Sequence, residues 1–231
     1  MCSGRVDPAH VIRAFYKGID GVFIGGCHLN ECNYLTQGNY YAQNMVLLLR
    51  KIMEYIGLNP ERLKIEFMSG SEGNVYVEAV NSFVKKVKEL GPLGRGEGLE
   101  KEALKSKLAE VSRLIPYIKV MKNEKLRTPL LNREEVDSYF TIDEIDKLFS
   151  EMVSYYIDPE KCRACMTCAR RCPVEAIISA KKQIHVIDQE KCIKCGTCLE
   201  ACPPKFGAVT KIVGEPVPPP IPEEKRALVS G

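Results

Sequence analysis

Two stretches of the 231-residue chain repeat each other 30 residues apart: DPEKCRACMTCARRCP at 158–173 and DQEKCIKCGTCLEACP at 188–203. Each spells C-x2-C-x2-C-x3-C-P. Three cysteines at that spacing on a tight loop can aim their thiolates at three irons of one cubane. The fourth, followed by proline, falls where the chain has turned away, and completes the other cluster. The spacing therefore predicts two 4Fe–4S clusters. One sits on Cys162, Cys165, Cys168 and Cys202, the other on Cys192, Cys195, Cys198 and Cys172. Exchanging fourth ligands ties the halves together and brings the clusters within reach of one another for electron transfer.

Zinc is the competitor. Structural zinc sites take two separated C-x2-C pairs or mix in histidines. Zinc here leaves the third cysteine of each triplet surplus and the C-P step without a reason. Arg163, Arg170, Arg171 and Lys194 flank the loops; they either offset the negative charge of clusters or simply solvate the surface. The repeats resemble a bacterial two-cluster ferredoxin domain over nearly its whole length. There is one departure: the second repeat reads CPPKFGAV where the first reads CPVEAI, a longer loop after Cys202. Cubanes with four cysteine ligands exchange single electrons and keep no open ligand position, so the resemblance implies relay rather than substrate chemistry.

Cys2, Cys27 and Cys32 are left over. Their placement depends on the elements around them. Asp7 and Pro8 can start a helix that Gly18 closes. GVFIGG at 21–26 reads as a buried parallel strand, GNYYAQNMVLLLRKIMEYIGL as a helix, LKIEFMSG at 63–70 as a second strand. VYVEAVNSFVKKVKEL then forms a second long helix ended by Gly91. This alternation predicts a doubly wound α/β domain. In such sheets, sites gather beyond the carboxyl ends of the strands, which is where Cys27 and Cys32 fall and where Cys2 precedes the first helix. Three thiols can therefore converge on one edge, although a fully thiolate-bound 2Fe–2S cluster takes four.

MCSGRVDP, GVFIGGCHLNECNY with GNYYAQ, and FMSGSEG together resemble the delta, or iron–sulfur, subunit of methyl-viologen-reducing hydrogenases over about residues 1–93. That resemblance implies a 2Fe–2S cluster and docking to a heterodisulfide-reductase-A-like flavoprotein fed from hydrogenase or formate dehydrogenase. Family members begin some tens of residues earlier, with a strand and further cysteines. The site on Cys2, Cys27 and Cys32 is thus read either as a 2Fe–2S site lacking a ligand or as buried or free thiols. Some relatives carry selenocysteine in that early stretch, and a gene start at Met1 is what a misread stop codon would leave. His28 is expected as a partly exposed loop residue rather than a ligand, and SGSEG at 69–73 as a turn rather than an anion site.

Beyond the breakpoint GPLGRGEG at 91–98, Leu99 to Ile115 mark an amphipathic helix ending before Pro116, and Thr141 with Glu144 offers a capping box for another. EPVPPPIPEEKR is an extended, proline-rich strap or linker. The resulting division is 1–93 α/β with an incomplete parallel sheet, 94–155 helical connector, 156–213 α+β two-cluster ferredoxin-like domain, and 214–231 tail. Net charge is +3 with signs interleaved, against a nucleic-acid arm, and the longest apolar run, MVLLL, cannot span a bilayer. The chain is expected to be cytoplasmic, where eleven cysteines mean metal or redox use rather than disulfides. No hydrolytic set of residues stands out. The sequence thus reads as a non-catalytic electron-transfer subunit of an anaerobe's oxidoreductase complex, with a diffusible ferredoxin bearing an extra interaction domain as the alternative.

Overall fold

Asp7 accepts a hydrogen bond of 2.9 Å from the N–H of Ala9, and Pro8 fills the first helical position, so α1 starts there and runs Pro8–Tyr16. The computed structural model describes residues 2–34, 37–130, 136, 138–150, 152–215 and 217–227. Met1, the expected alternative gene start, lies outside them, as do a few positions of the connector and the tail. The chain separates into two compact units, Met1–Asp146 and Lys147–Gly231.

In the first unit, β1 (Val22–Gly26) and β2 (Leu63–Phe67) pair in parallel, with Val22 opposite Leu63 and Gly26 opposite Phe67. The crossover between them is α2 (Asn39–Tyr55), followed by a short 3-10 turn capped by Asn59. Met45, Leu48, Leu49, Ile52 and Ile56 are buried, as their spacing predicts, while Tyr55 turns outward and its hydroxyl donates to Asp146 Oδ1. Next comes α3 (Gly73–Leu90), which Gly91 ends with a positive φ of 72°. The unit is mixed α/β, with a small parallel sheet.

The GPLGRGEG breakpoint is pinned down. Arg62, wholly buried, donates to the carbonyls of Asp20, Leu90, Gly91 and Pro92 and pairs with Glu97 at 2.6 Å. After it, α4 (Lys101–Met121) packs on α1, with Lys119 reaching Asp7 at 2.6 Å. This corrects the expected stop before Pro116, because α4 runs straight through that proline. A proline inside a helix costs about 3 kcal/mol relative to alanine. Burial of Leu114, Ile115 and Ile118 around it, at about 1.5–3 kcal/mol each, outweighs that cost.

A short α5 (Asn123–Arg127) leads on to α6 (Ile142–Ser150). Thr141 Oγ1 accepts from the Glu144 N–H at 3.2 Å, one half of the expected capping box. The other half is missing, because the Glu144 carboxylate is drawn to Lys122 and Lys125 instead.

The second unit holds two antiparallel pairs, β3 (Val153–Ile157) with β6 (Val209–Val213) and β4 (Ile177–Ile178) with β5 (Val186–Ile187). Two short helices, α7 (Thr167–Arg171) and α8 (Thr197–Ala201), each carry the third cysteine of a triplet, Cys168 and Cys198, and pack on each other. The core between them mixes Tyr155, Ile157, Ile177, Ile184, Ile187 and Val209 with Cys162, Cys168, Cys192 and Cys198. Residues from the tail lie against it: Ile221 packs on the core and the Ile184 N–H donates to the Arg226 carbonyl at 2.7 Å. No helix among the described residues is long and apolar enough to cross a membrane.

Candidate functional site

The two cysteine loops share one backbone path. Cys162 N–H donates to the Asp158 carbonyl and Cys192 N–H to the Asp188 carbonyl, both at 3.0 Å. Asp158 and Asp188 each turn a carboxylate onto the amide two residues on. Left-handed backbone recurs at matching positions, Ala164 and Met166 in the first loop and Lys194 and Gly196 in the second. Alternating left-handed residues let a chain wrap round a centre with its amides pointing inward. At Gly196 there is a further reason for glycine, since a Cβ would lie 2.8 Å from the Tyr155 hydroxyl.

The halves are laced together. Asp158 N–H donates to the Ala208 carbonyl and Asp188 N–H to the Ala176 carbonyl, both at 2.7 Å, so each loop is bonded to the segment that follows the other repeat's fourth cysteine. In the same segments, Ala176 N–H donates to Cys172 Sγ and Ala208 N–H to Cys202 Sγ, both at 3.3 Å. The longer loop after Cys202 is absorbed before Ala208, and the amide–sulfur contact is the same in both halves. Lys194 N–H reaches Cys192 Sγ at 3.4 Å, and the hydroxyls of Thr167 and Thr197 stand beside Cys165 and Cys195.

Burial sorts the eight thiols. Cys162, Cys168, Cys192 and Cys198 are buried, Cys165 and Cys195 are exposed, and Cys172 and Cys202 lie between. Desolvation pushes Cys168 up to about 11, with further repulsion from Cys162, Cys165 and Cys202. It pushes Cys198 up to about 12, again with neighbouring thiols adding to it. Cys192 is raised by burial and feels Cys195 and Cys172. Cys202 is thus among the electrostatic neighbours of the first triplet, and Cys172 among those of the second. Among the described residues, no three His, Cys, Asp or Glu side chains gather about a single point as the ligands of one metal ion do. A donor set of eight thiols lined by amide and hydroxyl donors suits iron–sulfur cubanes, which spread their ligands over four irons.

The flanking cations divide. Arg163, Arg170 and Arg171 are exposed, but Lys194 is buried and its ammonium donates to Ser154 Oγ at 2.9 Å. Its charge lowers the Cys192 thiol against the larger effect of burial, so for Lys194 a surface-solvation role does not hold. The sequence reading missed His185. Its ring is 1% exposed and Nδ1 lies 3.5 Å from Cys168 Sγ. Nothing in the spacing signals it, because His185 reaches the first loop from beyond β4.

The three remaining thiols converge in the first unit. The Cys2 and Cys32 sulfurs stand 3.7 Å apart, and Cys27 is an electrostatic neighbour of both. They line a cleft of about 760 Å³ beyond the carboxyl ends of β1 and β2. Close backbone crossing makes the gathering possible. A Cβ on Gly4 would lie 2.0 Å from the Gln37 carbonyl oxygen, and one on Gly38 would lie 2.3 Å from Cys32 Sγ. Asn39, buried at the start of α2, donates to the Cys27 and His28 carbonyls and toward Cys27 Sγ. Burial and the neighbouring thiols raise Cys27; at Cys32 burial is outweighed by the Tyr34 and Asn39 amides and by the other two thiols, which lower it. The described residues give this cleft three thiols, one fewer than a fully thiolate-bound 2Fe–2S cluster takes.

His28 is half-exposed, with Nε2 2.6 Å from Glu72 Oε2. The same carboxylate accepts the Ser69 N–H at 2.7 Å. The start of α3 is therefore occupied by the chain's own anion, and SGSEG is a turn.

Comparison with known proteins agrees with both halves. A family model described as "Methyl-viologen-reducing hydrogenase, delta subunit" matches residues 1–91, and one described as "4Fe-4S dicluster domain" matches residues 154–203. The iron–sulfur subunit of the F420-non-reducing hydrogenase of Archaeoglobus profundus is 44% identical over 91 residues, 39% of this chain and 66% of the relative. The iron–sulfur subunit of the F420-non-reducing hydrogenase vhu of Methanopyrus kandleri is 40% identical over 92 residues, 40% of this chain and 69% of the relative. The A-type subunit of the ferredoxin:CoB-CoM heterodisulfide reductase of Methanosarcina mazei is 37% identical over 113 residues, 49% of this chain but 14% of the relative. The chain thus spans just under two thirds of the first of these and a small part of the last. On its N-terminal residues, and with a 4Fe–4S dicluster domain following them, the chain belongs to the methyl-viologen-reducing hydrogenase delta-subunit family.

Proposed function

We propose that the chain is the electron-transfer subunit of an oxidoreductase complex in the cytoplasm. It would relay electrons between a hydrogenase- or formate-dehydrogenase-type donor and a heterodisulfide-reductase-A-like flavoprotein. The observation that carries this is the lacing of the two repeats, Asp158 to Ala208 and Asp188 to Ala176, around eight thiols. It supports 4Fe–4S sites on Cys162, Cys165, Cys168 and Cys202, and on Cys192, Cys195, Cys198 and Cys172. Clusters bound there exchange single electrons.

The chain's own groups set the conditions for that exchange. Amides of Ala176, Lys194 and Ala208 donate to ligand sulfurs, and the buried Lys194 ammonium offsets negative charge. Cys165 and Cys195 mark the corners that face solvent, where a partner's redox centre can approach most closely. We read the cleft of Cys2, Cys27 and Cys32 as a 2Fe–2S site whose fourth ligand the described residues do not supply. In this reading the two-stranded sheet belongs to a doubly wound α/β domain of residues 1–93. The connector of 94–155, the two-cluster domain of 156–213 and the tail of 214–231 follow it.

Anaerobic purification with iron, sulfide and zinc analysis tests the reading. About eight irons and eight sulfides per chain are expected for the two cubanes, with a broad charge-transfer absorption. Two more of each would report the 2Fe–2S centre. Zinc in place of iron ends the proposal, and a gentle anaerobic pull-down that recovers the chain without hydrogenase or flavoprotein subunits ends the complex.

A further inference from the structure

His185 is held in place before its ring does anything. Ile184 N–H is bonded to the Arg226 carbonyl at 2.7 Å, Gln183 bridges to Ala227, and Val186–Ile187 pair with β4. The backbone on both sides of the histidine is therefore fixed. Its ring is 1% exposed, Nδ1 lies 3.5 Å from Cys168 Sγ, and Nε2 is buried without a hydrogen-bond partner.

The sulfur decides which ring nitrogen donates. A cysteine that ligates iron is a thiolate with no proton to give, so a hydrogen bond at this distance requires Nδ1–H as the donor. In the tautomer with Nδ1–H, Nε2 is a bare lone pair. An unpaired acceptor is a commoner and milder fault in a buried site than an unpaired N–H. The other tautomer would bury an unpaired N–H and turn two lone pairs toward each other.

We propose that His185 is a tuning residue of the first cluster, donating Nδ1–H to the Cys168 sulfur and raising the reduction potential of that cluster alone. This rests on the cluster assignment above. A hydrogen bond to sulfur withdraws charge and is stronger when the cluster carries the extra electron, so it favours the reduced state. The other half differs at the matching position. Three residues before Asp158, where His185 stands three before Asp188, is Tyr155, a neighbour of Cys198, Cys195 and Cys192 whose hydroxyl makes no hydrogen bond to a sulfur among the described residues. One repeat is thereby set apart from the other by a residue outside either cysteine motif.

The test is a redox titration of the whole chain followed by EPR, comparing wild type with His185→Leu and His185→Asn. Leucine removes the donor, while asparagine places an amide N–H where Nδ1 stood. His185→Leu is expected to lower the potential of one centre, so that at its wild-type midpoint the reduced-to-oxidised ratio falls about threefold or more. The other centre stays put, and His185→Asn stays close to wild type. Two unchanged potentials in His185→Leu, or two equal shifts, overturn the inference. Wild-type chain with 15N-labelled histidine gives a readout that needs no variant to fold. Nitrogen coupling to one reduced cluster is expected, and its absence overturns the inference. A wild-type chain that holds no iron overturns the cluster assignment and this inference with it, whereas two intact clusters with silent variants overturn this inference alone.

Discussion

Asp188 donates its backbone N–H to the carbonyl of Ala176 across the two repeats, at 2.7 Å, and the mirror bond from Asp158 to Ala208 has the same length. Each cysteine triplet is thereby bonded to the segment following the other repeat's fourth cysteine. Crossed ligation makes a direct expectation for cysteine variants. Cys202→Ser should disturb the same EPR signal as Cys165→Ser, and Cys172→Ser the same signal as Cys195→Ser. If Cys172→Ser instead groups with Cys165→Ser, the crossed pairing is wrong.

The second core contains four cysteines among its thirteen buried residues, and the rest are mostly small or β-branched. Ligand thiols gather into a cluster site only in the folded chain, so binding free energy and folding free energy are linked in such sites. Stripping the iron anaerobically with a strong chelator should unfold residues beyond Lys147 while the first unit, with its own core, stays folded. Limited proteolysis of the stripped protein should leave a fragment ending near Asp146. A stripped chain that resists proteolysis throughout would refute this.

Arg62 and Glu97 form a buried pair, the arginine fully covered and the carboxylate one-tenth exposed. Removing one partner of such a pair strands the other, at about 3–5 kcal/mol. Arg62→Met should lower the melting temperature sharply, and the double variant with Glu97→Gln should cost less than the two changes summed. Burial alone would raise the Glu97 carboxyl; the Arg62 hydrogen bonds, the Asn59 amide and the Arg62 charge overcome this and hold it below its ordinary 4.5. The pair therefore contributes in full above about pH 4.5, and its contribution fades as pH falls through the depressed value. Stability curves of wild type and Glu97→Gln should converge in acid, and parallel curves would count against the pair.

Charge separates the two cysteine loops. Exposed Arg163, Arg170 and Arg171 stand where the second repeat has Ile193, the exposed Glu200 and the buried Ala201. Oxidation of the reduced protein by ferricyanide, an anion, should slow as salt is added. Importing the second repeat's residues as R163I, R170E and R171A together should flatten that dependence in stopped-flow measurements. An unchanged salt slope would show that these arginines do not steer the approach.

The cysteine spacing by itself announced the two-cluster domain, since thiolates for one cubane must come from a loop of that length. Local rules were equally readable for Asp7 and Pro8 at the start of α1, for β1 and β2, and for Gly91 after α3, because caps, strand runs and left-handed glycines act over a few residues. Long-range partners decided everything else. Pro116 stays inside α4 because Leu114, Ile115 and Ile118 are buried around it, and the Glu144 side chain abandons its cap for two lysines brought near by α4 and α5. Arg62 and Lys194 are cations in composition but core residues in fact, and their burial depends on carbonyls, a carboxylate and a hydroxyl distant in sequence. His185 meets Cys168 where β5 and the C-terminal strap hold its backbone, a meeting between side chains 17 positions apart that no spacing rule contains.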